Sequence, residues 1–223
     1  MIIQTGGTDI VEDLRGRILA LELPPGSALS RVDLGARYGI SSTPLRDALL
    51  RLQEEGLVVI HPQARTSVSL IDLNHARQVH FMRSAVETEV VRKLALNPPD
   101  DLGLELEHLL AAQEERAERG DLTGFSRLDL AFHHALFRHA GLEAIHRVIR
   151  RESGHIDRLR ALHLMQPAKV RQILSDHQAV MHAIMARTPD EAADRMQDHL
   201  SQSILLGKQL TSLRPDYFAE LPD

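Results

Sequence analysis

Residues 40–62 read ISSTPLRDALLRLQEEGLVVIHP, and this stretch decides the fold of the N-terminal part of the chain. Thr43 is a candidate N-cap, and Pro44 falls at the first helical position, where its missing N–H costs nothing. Leucines at helical spacing continue to Gly56, which ends the predicted helix. The β-prone run Leu57–Ile60 follows at once. The stretch therefore predicts a helix that passes directly into a short strand.

The residues on either side complete a motif. Upstream, apolar residues between Ile10 and Leu21 recur at helical spacing, and a short helix over residues 34–38 ends at Gly39. Downstream, the run Thr66–Leu70 predicts a second strand. Helix, tight turn, helix and small hairpin, in that order, predict a winged helix-turn-helix, in which the second helix enters the major groove of DNA.

The rest of the chain is a succession of longer amphipathic patterns. Asp72 is a candidate N-cap for a helix that runs to about Leu96. Five more helices are expected between Gly and Pro breaks, at about 99–119, around 129–137, and at 143–163, 168–187 and 190–211. The predicted fold class is mainly α, with a winged helix-turn-helix domain at residues 1–71 and an antiparallel bundle of six to seven helices at residues 72–223.

The composition excludes several classes of protein. Aromatic residues make up only 3% of the 223 residues, which favours helices over a β-sandwich. The absence of cysteine excludes a disulfide framework and a thiolate zinc site. No apolar run approaches the roughly 18 residues of a membrane span, and the N-terminus lacks the features of a secretory signal. A soluble, cytoplasmic protein without a membrane partner is expected.

The charge of the N-terminal domain bears on how it would bind DNA. Residues 1–71 contain seven arginines, no lysine and eight acidic residues, so the domain is nearly neutral. Because neutralisation of phosphates supplies much of the affinity for DNA, binding to one half-site should be modest. A homodimer on a pseudo-palindromic operator is therefore expected.

Residues 40–62 resemble the recognition helix and wing of the GntR family of bacterial transcription regulators. The family pattern is a small-residue turn, Ser-Arg-Thr-Pro, an apolar residue, Arg-Glu-Ala-Leu and then Leu-x-x-x-Gly-Leu. The resemblance covers about the first seventy residues and implies a DNA-binding regulator, here expected to be a repressor. Ser42 stands where the family usually has Arg, which would weaken or change base readout. Arg65 replaces the usual wing-tip Gly and could reach the minor groove.

The positions of arginines along this helix indicate DNA contacts. A helix that enters the major groove needs hydrogen-bond donors near its N-terminal end. Arg46, one turn into the helix, is the first candidate, and Thr43 is expected to bind a phosphate. Arg37 and Arg51 are either further phosphate contacts or solvated surface. A winged helix used only for protein contacts remains the alternative.

The stretch DLAFHHALF at residues 129–137 places polar side chains within an apolar helix. Asp129 and His133 are four residues apart and share one face. His177 and His199 lie on later helices and share faces with apolar residues, so all four side chains could converge in a bundle core. Three imidazoles and one carboxylate suit Zn²⁺, Ni²⁺, Mn²⁺ or Fe²⁺. By spacing alone, Asp and His four residues apart are more often an ordinary pair on a helix surface.

The same stretch, together with SDHQAVMHAIMARTPDEAADRMQDHL at residues 175–200, resembles the ligand-binding FCD domain of the FadR-type subfamily of GntR regulators. The pattern is Asp-x-x-Phe-His, a His that opens a later helix, and Met-x-x-His-Leu. The resemblance implies four ligands to a divalent metal ion: Asp129, His133, His177 and His199. Three other histidines match no ligand position and are interpreted as surface or pocket-lining residues: His134, His155 and His182.

A second site is predicted on the first bundle helix. The segment FMRSAVETEVVRKLA, residues 81–95, resembles the family's Arg-x-x-apolar-Glu segment, in which the Arg meets a carboxylate of the effector. Arg83 lies at the edge of the inward face, where a guanidinium needs a partner. That partner is either the effector or Glu87, four residues further on. Arg158 is a further candidate for the effector pocket.

These patterns predict a transcription regulator and not an enzyme. An organic acid would bridge Arg83 and the metal and change DNA binding by favouring one arrangement of the protein. Two alternatives remain. The divalent ion could itself be the signal, or the same centre could serve a metalloenzyme. The sequence contains no HExxH motif, and no Glu is obviously placed as a general base beside the predicted ligands.

Overall fold

The structure is a computed structural model, which describes residues 7–61, 65–164, 167–205 and 207–219. Helices dominate it, as the composition predicts. In chain order its elements are α1 Gly7–Leu19, α2 Arg31–Tyr38, α3 Ser42–Glu54, β1 Val58–Ile60, β2 Thr66–Val68, α4 Leu73–Leu96, α5 Leu102–Glu118, α6 Leu122–His139, α7 Glu143–Glu152, α8 Gly154–Leu164, α9 Pro167–Met185, α10 Pro189–Leu205, α11 Gly207–Leu213 and a 3₁₀ turn Pro215–Tyr217.

The helix-turn-helix consists of α2, α3 and the turn between them. The hydroxyl of Ser30 caps α2 by accepting from the N–H of Asp33, and Gly39 ends the helix with φ +64°. The predicted start of α3 was wrong by two residues, because Ser41, and not Thr43, is the N-cap. Pro44 thus lies in the first turn but not at its first position, and it is tolerated because N–H groups there have no acceptor within the helix.

The predicted wing hairpin is confirmed, with strands of three residues each. β1 and β2 are antiparallel, and Val58 pairs with Val68 while Ile60 pairs with Thr66. The hairpin covers a core to which all three N-terminal helices contribute. Its buried members are Ile10, Val11, Leu14, Ile18, Leu29, Leu34, Tyr38, Leu45, Ala48, Leu49, Leu52, Leu57, Val58 and Val68.

The winged helix belongs to a compact unit that also contains two later segments of the chain. This unit comprises the residues up to Ala76, Arg151–Ala161, and the residues from Gly207 onward. The C-terminal segment joins it through backbone hydrogen bonds, in which Ile71 donates to Tyr217 and accepts from Ala219. The boundary predicted between residues 71 and 72 remains a prediction about domains.

The other compact unit comprises residues 77–150 and 162–206. The stretch 143–163, predicted as one helix, divides at Ser153 into α7 and α8. Gly154 begins α8 in close contact with the winged helix, where an added Cβ would lie 2.7 Å from a methyl group of Leu57. The division of 190–211 into α10 and α11 falls on residue 206, outside the described residues.

The helical unit has an apolar core with a polar region inside it. Its core comprises apolar side chains from α4, α5, α6, α7, α9 and α10. The buried polar side chains of this unit include Arg83, Glu87, Gln113, Asp129, His133, His177 and His199. Within the described residues, no helix combines the length and apolar character needed to cross a membrane.

Candidate functional site

Four side chains that are far apart in the sequence meet inside the helical unit. Asp129 and His133 come from α6, His177 from α9 and His199 from α10. Each is at most 6% exposed, and one ligand atom from each lies within 4.8 Å of the others. The Nε2 atom of His199 is 3.3 Å from the Nε2 atoms of both His133 and His177. Nε2 of His177 is 3.6 Å from Oδ1 of Asp129.

The opposite nitrogen of each imidazole has its own partner. Nδ1 of His133 is 2.6 Å from a carboxylate oxygen of Glu87, and Nδ1 of His177 is 3.0 Å from the amide oxygen of Gln113. Nδ1 of His199 is 3.5 Å from a carboxylate oxygen of Asp176. An oxygen at Nδ1 favours the tautomer in which Nε2 carries the lone pair, which is the usual arrangement around metal-binding histidines.

The donor set fits a divalent cation by spacing and by charge. Two nitrogen ligands at about 2.0–2.1 Å from one tetrahedral Zn²⁺ would be about 3.3–3.4 Å apart, close to the observed 3.3 Å between Nε2 atoms. Apart from the imidazoles, the guanidinium of Arg83 and the three carboxylates of Glu87, Asp129 and Asp176 carry a formal net charge of −2. This Asp/His cluster is therefore able to hold a divalent metal ion.

Arg83 pairs with Glu87, the alternative that the sequence left open. Its Nε donates to Oε1 of Glu87 at 2.7 Å, and both side chains are buried. Burial opposes ionisation of Glu87, but the charge of Arg83 and the contact with His133 outweigh it and hold the pKa of the Glu87 carboxyl below its usual range. Burial and the positive charge of Arg83 also lower the pKa of His80. Arg83 is thus joined to the cluster through Glu87.

Arg158, the other predicted effector residue, belongs to the winged-helix unit and not to the unit that holds the cluster. Its fully buried guanidinium donates to the carbonyl oxygen of Ser69 at 2.5 Å, to the Ser69 hydroxyl at 3.0 Å and to the carbonyl oxygen of Gly154 at 3.1 Å. These contacts tie α8 to the end of the wing, so the structure gives Arg158 a role inside the winged-helix unit instead of beside the cluster.

The remaining histidines have different environments. His134 is about half exposed and stacks on His146 of α7, and His182 is exposed on α9. His155 is half-buried, and its Nδ1 accepts from the backbone N–H of Asp72 at 3.0 Å within the winged-helix unit. Its interpretation as a surface or pocket-lining residue stays a prediction.

The predicted DNA-contacting side chains are all exposed. They are Ser42, Thr43, Arg46 and Arg51 on α3, Arg37 on α2, and Arg65 at the end of the described wing. An open cleft of about 510 Å³ lies between α2 and the start of α3, lined in part by Ser42, Thr43 and Arg46. Arg31 also lines this cleft, and its guanidinium is 3.3 Å from the Thr66 hydroxyl. No sequence pattern singled out Arg31.

Sequence patterns also missed the three residues that contact the far side of the imidazoles. Glu87 was considered only as a partner of Arg83, since its contact with His133 spans 46 positions of the chain. Gln113 lies in a charged stretch that looked solvated, yet it is fully buried. Asp176 directly precedes His177, but it contacts His199 on the next helix. Only the packing of the helices could reveal these pairs.

Comparison with known proteins gives two matching family models. Residues 7–68 match the model for bacterial regulatory proteins of the gntR family, and residues 78–202 match the FCD domain. The structure resembles that of E. coli McbR/YncC, with a TM-score of 0.79, 20% identity, and coverage of 92% of this chain and 97% of that one. It also resembles a putative GntR transcriptional regulator from Rhodococcus sp. RHA1, with a TM-score of 0.75, 22% identity, and coverage of 89% and 95%. At these identities the likeness shows the fold alone.

Curated relatives extend over almost the whole chain. An HTH-type transcriptional regulator in an unstable DNA locus of Streptomyces ambofaciens is 32% identical over 216 residues, which are 97% of this chain and 91% of that protein. The HTH-type transcriptional repressor RspR of E. coli K12 is 28% identical over 207 residues, which are 93% and 91%. These relatives are regulators, which disfavours the metalloenzyme alternative. The chain belongs to the GntR family of bacterial DNA-binding transcription regulators, and its helical part is an FCD domain.

Proposed function

We propose that this regulator is a repressor whose binding to its operator is controlled by a small organic acid held beside a divalent metal ion. The observation that carries the proposal is the convergence of three Nε2 atoms and one carboxylate oxygen inside the FCD domain. The ligands would be Asp129, His133, His177 and His199. When bound, the metal would supply a Lewis-acidic position for an oxygen of the effector. Zn²⁺, Ni²⁺, Mn²⁺ and Fe²⁺ all suit this donor set.

Arg83 supports a carboxylate as the chemical class of the effector. A guanidinium presents five N–H donors in a planar fork that matches a carboxylate. Glu87 engages the Nε of Arg83. Arg158 is no longer part of this proposal, since its donors serve Ser69 and Gly154.

The exposed start of α3 supports major-groove recognition by Arg46, with Thr43 on a phosphate. Ser42 lies at the same end of the helix, where the family usually has an arginine. Because serine reaches less far than arginine, Arg46 would carry more of the base readout. Arg37 and Arg51 are proposed as phosphate contacts and Arg65 as a minor-groove contact, because all three are exposed and positively charged. Since this regulator acts on chromosomal DNA, we propose that it is cytoplasmic.

A homodimer is proposed because one nearly neutral winged helix offers limited affinity for DNA. A two-fold dimer would read a pseudo-palindromic operator with one α3 in each half-site. Phe81 on α4 is 76% exposed, and Val148 on α7 is 49% exposed. Both are candidates for the surface between two copies.

A second candidate function keeps the regulator and makes the metal ion the signal. The favouring observation is that the cluster is nearly complete within one chain, with an oxygen partner behind every imidazole. Titration of operator binding with the metal alone separates the two functions. A change in operator affinity without organic acid would support metal sensing, whereas a change only when an acid is added would support the effector hypothesis.

The test of the main proposal is a thermal-shift screen of small carboxylates on zinc-loaded protein, repeated with the variants Arg83→Ala and His177→Ala. We expect at least one acid to raise the melting temperature of the wild type and not that of either variant, because stabilisation follows from binding to the native state. His182→Ala is the matched control, since His182 is exposed on the same helix as His177.

Two results would contradict the proposal. One is that no carboxylate stabilises the zinc-loaded wild type. The other is that both variants respond to the acid as the wild type and the His182→Ala control do. The second result would place the effector away from Arg83 and the cluster.

A further inference from the structure

Glu87 connects two sites that the proposed function treats separately. Its Oε1 accepts from Nε of Arg83 at 2.7 Å, and its Oε2 lies 2.6 Å from Nδ1 of His133. All three side chains are at most 5% exposed. The two oxygens of this buried carboxylate thus contact different partners. One partner is Arg83, which is expected to bind the effector, and the other is His133, which is expected to bind the metal.

Both partners of Glu87 are hydrogen-bond donors. Arginine has no acceptor atom, and His133 presents its Nδ1 proton to Glu87 when its Nε2 lone pair faces the cluster. A carboxylate accepts from both donors at once, whereas the amide of glutamine would accept from one and turn its NH₂ group toward the other. Charge-assisted hydrogen bonds in a buried setting are also the stronger kind. The position therefore requires a carboxylate.

The other two imidazoles are supported differently. Gln113, behind His177, is neutral. Asp176, behind His199, accepts hydrogen bonds from the side-chain amides of Gln172 and Gln202. Among the described contacts behind the three imidazoles, that of Glu87 is the one that continues to an arginine. The described contacts therefore give an anion at Arg83 a direct path to His133.

We propose that Glu87 is a positioning residue that couples an anion bound at Arg83 to the metal ligand His133, so that effector and metal strengthen each other's binding. This inference rests on the proposed function. An effector carboxylate that binds the guanidinium of Arg83 weakens the hydrogen bond from Arg83 to Glu87. Glu87 then accepts a stronger hydrogen bond from Nδ1 of His133, and this makes the Nε2 lone pair of His133 a stronger ligand for the metal. By thermodynamic linkage, bound metal raises the affinity for the anion by the same factor.

The experiment measures zinc dissociation constants by competition with a chromophoric chelator, with and without acetate, on the full chain. Glu87→Gln should weaken zinc binding about 10–100-fold, the usual effect of losing a group that orients a metal ligand. The factor by which acetate tightens zinc binding should fall toward one in the variant. Glu89→Gln is the matched control, because Glu89 lies on the same helix with its side chain 66% exposed, and it should match the wild type in both measurements.

A conservative variant keeps the test meaningful if Glu87→Gln does not fold. Glu87→Asp retains the charge but is one methylene too short to reach both partners, so it should bind zinc with intermediate affinity and show a reduced acetate effect. Equal zinc affinity in wild type and Glu87→Gln, or an acetate factor unchanged in the folded Glu87 variants, would overturn the coupling while the metal centre stands. A wild type that binds no divalent ion would overturn the metal centre itself.

Discussion

Three imidazole rings in the FCD domain are oriented from behind by oxygen atoms on separate helices. His133 faces Glu87 on α4, His177 faces Gln113 on α5, and His199 faces Asp176 on α9. A ring that is already held by such a contact loses less side-chain entropy when it binds a metal. Each supporting residue is therefore a site where metal affinity can be tuned.

Arg46 is the residue on which DNA recognition is expected to depend most. Arg46→Ala should reduce affinity for the operator by about 1–3 kcal/mol, roughly 5- to 150-fold, since it removes a donor from the exposed first turns of α3. Fluorescence anisotropy with a labelled operator duplex measures the change. Arg119→Ala in the FCD domain is the control, as the Arg119 side chain is 65% exposed. Equal operator affinities for Arg46→Ala and the wild type would exclude Arg46 from the interface.

At the scale of elements, α8 is part of the winged-helix unit through most of its length. Gly154 allows its backbone to approach Leu57, and Arg158 bonds to both Ser69 and Gly154. His155 accepts from the backbone of Asp72, at the start of α4. These contacts make α8 part of the winged-helix unit, although only Ser153 separates it from α7.

Arg158→Met should destabilise the protein by about 2–4 kcal/mol, because the carbonyl and hydroxyl of Ser69 would lose a buried donor. Chemical denaturation followed by circular dichroism measures the loss. Arg151→Met, at an exposed arginine seven residues earlier, should change the free energy of unfolding by no more than about 0.5 kcal/mol. Zinc affinity should stay the same in both variants. A stable Arg158→Met protein that failed to bind zinc would show that Arg158 serves the cluster after all.

The same region predicts a dependence of stability on pH. Burial, and next the positive charge of Arg158, lower the pKa of His155 from 6.5 to about 3. The unfolded chain therefore binds a proton at His155 between these pH values while the folded chain does not. Its contribution to stability is complete above about pH 6.5 and is lost as the pH falls toward 3, at about 1.4 kcal/mol per pH unit.

The variant His155→Gln isolates this contribution, since a glutamine side chain can accept a hydrogen bond but does not titrate. Denaturation curves at pH 7 and pH 4.5 should show a smaller loss of stability on acidification for the variant than for the wild type. Parallel losses in the two proteins would mean that His155 is as accessible to protons in the folded chain as in the unfolded one.

On the scale of the whole molecule, the chain forms two compact units. The recognition helix and its exposed arginines lie in one unit, and the Asp/His cluster with Arg83 lies in the other. The chain passes between the two units several times, because residues 151–161 and those from 207 onward return to the winged-helix unit. Several covalent connections therefore join the two units.

A dimer is expected to bind DNA far more tightly than one copy. A duplex with two inverted half-sites should bind on the order of a hundredfold tighter than one of equal length with a scrambled half-site, because the second contact becomes intramolecular. Anisotropy titrations compare the two duplexes, and light scattering should give twice the mass of one chain. Equal affinity for both duplexes would indicate that one winged helix is sufficient.

The amino-acid sequence alone determined most of the architecture, because its signals are local. Helical periodicity, the N-cap Asp72, the left-handed Gly39 and the breaks at Pro167 and Pro189 act over a few residues and predict the helices and the wing. Motif spacing was also sufficient to single out the four members of the Asp/His cluster, although it could not exclude a surface pair of Asp129 and His133.

Only the tertiary structure decided which distant side chains touch. Glu87 contacts His133, which lies 46 positions later in the chain. Arg158 donates a hydrogen bond to the carbonyl oxygen of Ser69, directly after the wing. Gly154, which follows the division of 143–163 at Ser153, likewise lies against Leu57. These contacts are made by residues far apart in the chain, and no local pattern records them. The buried polar groups among them need their partners because burial without a hydrogen bond costs free energy.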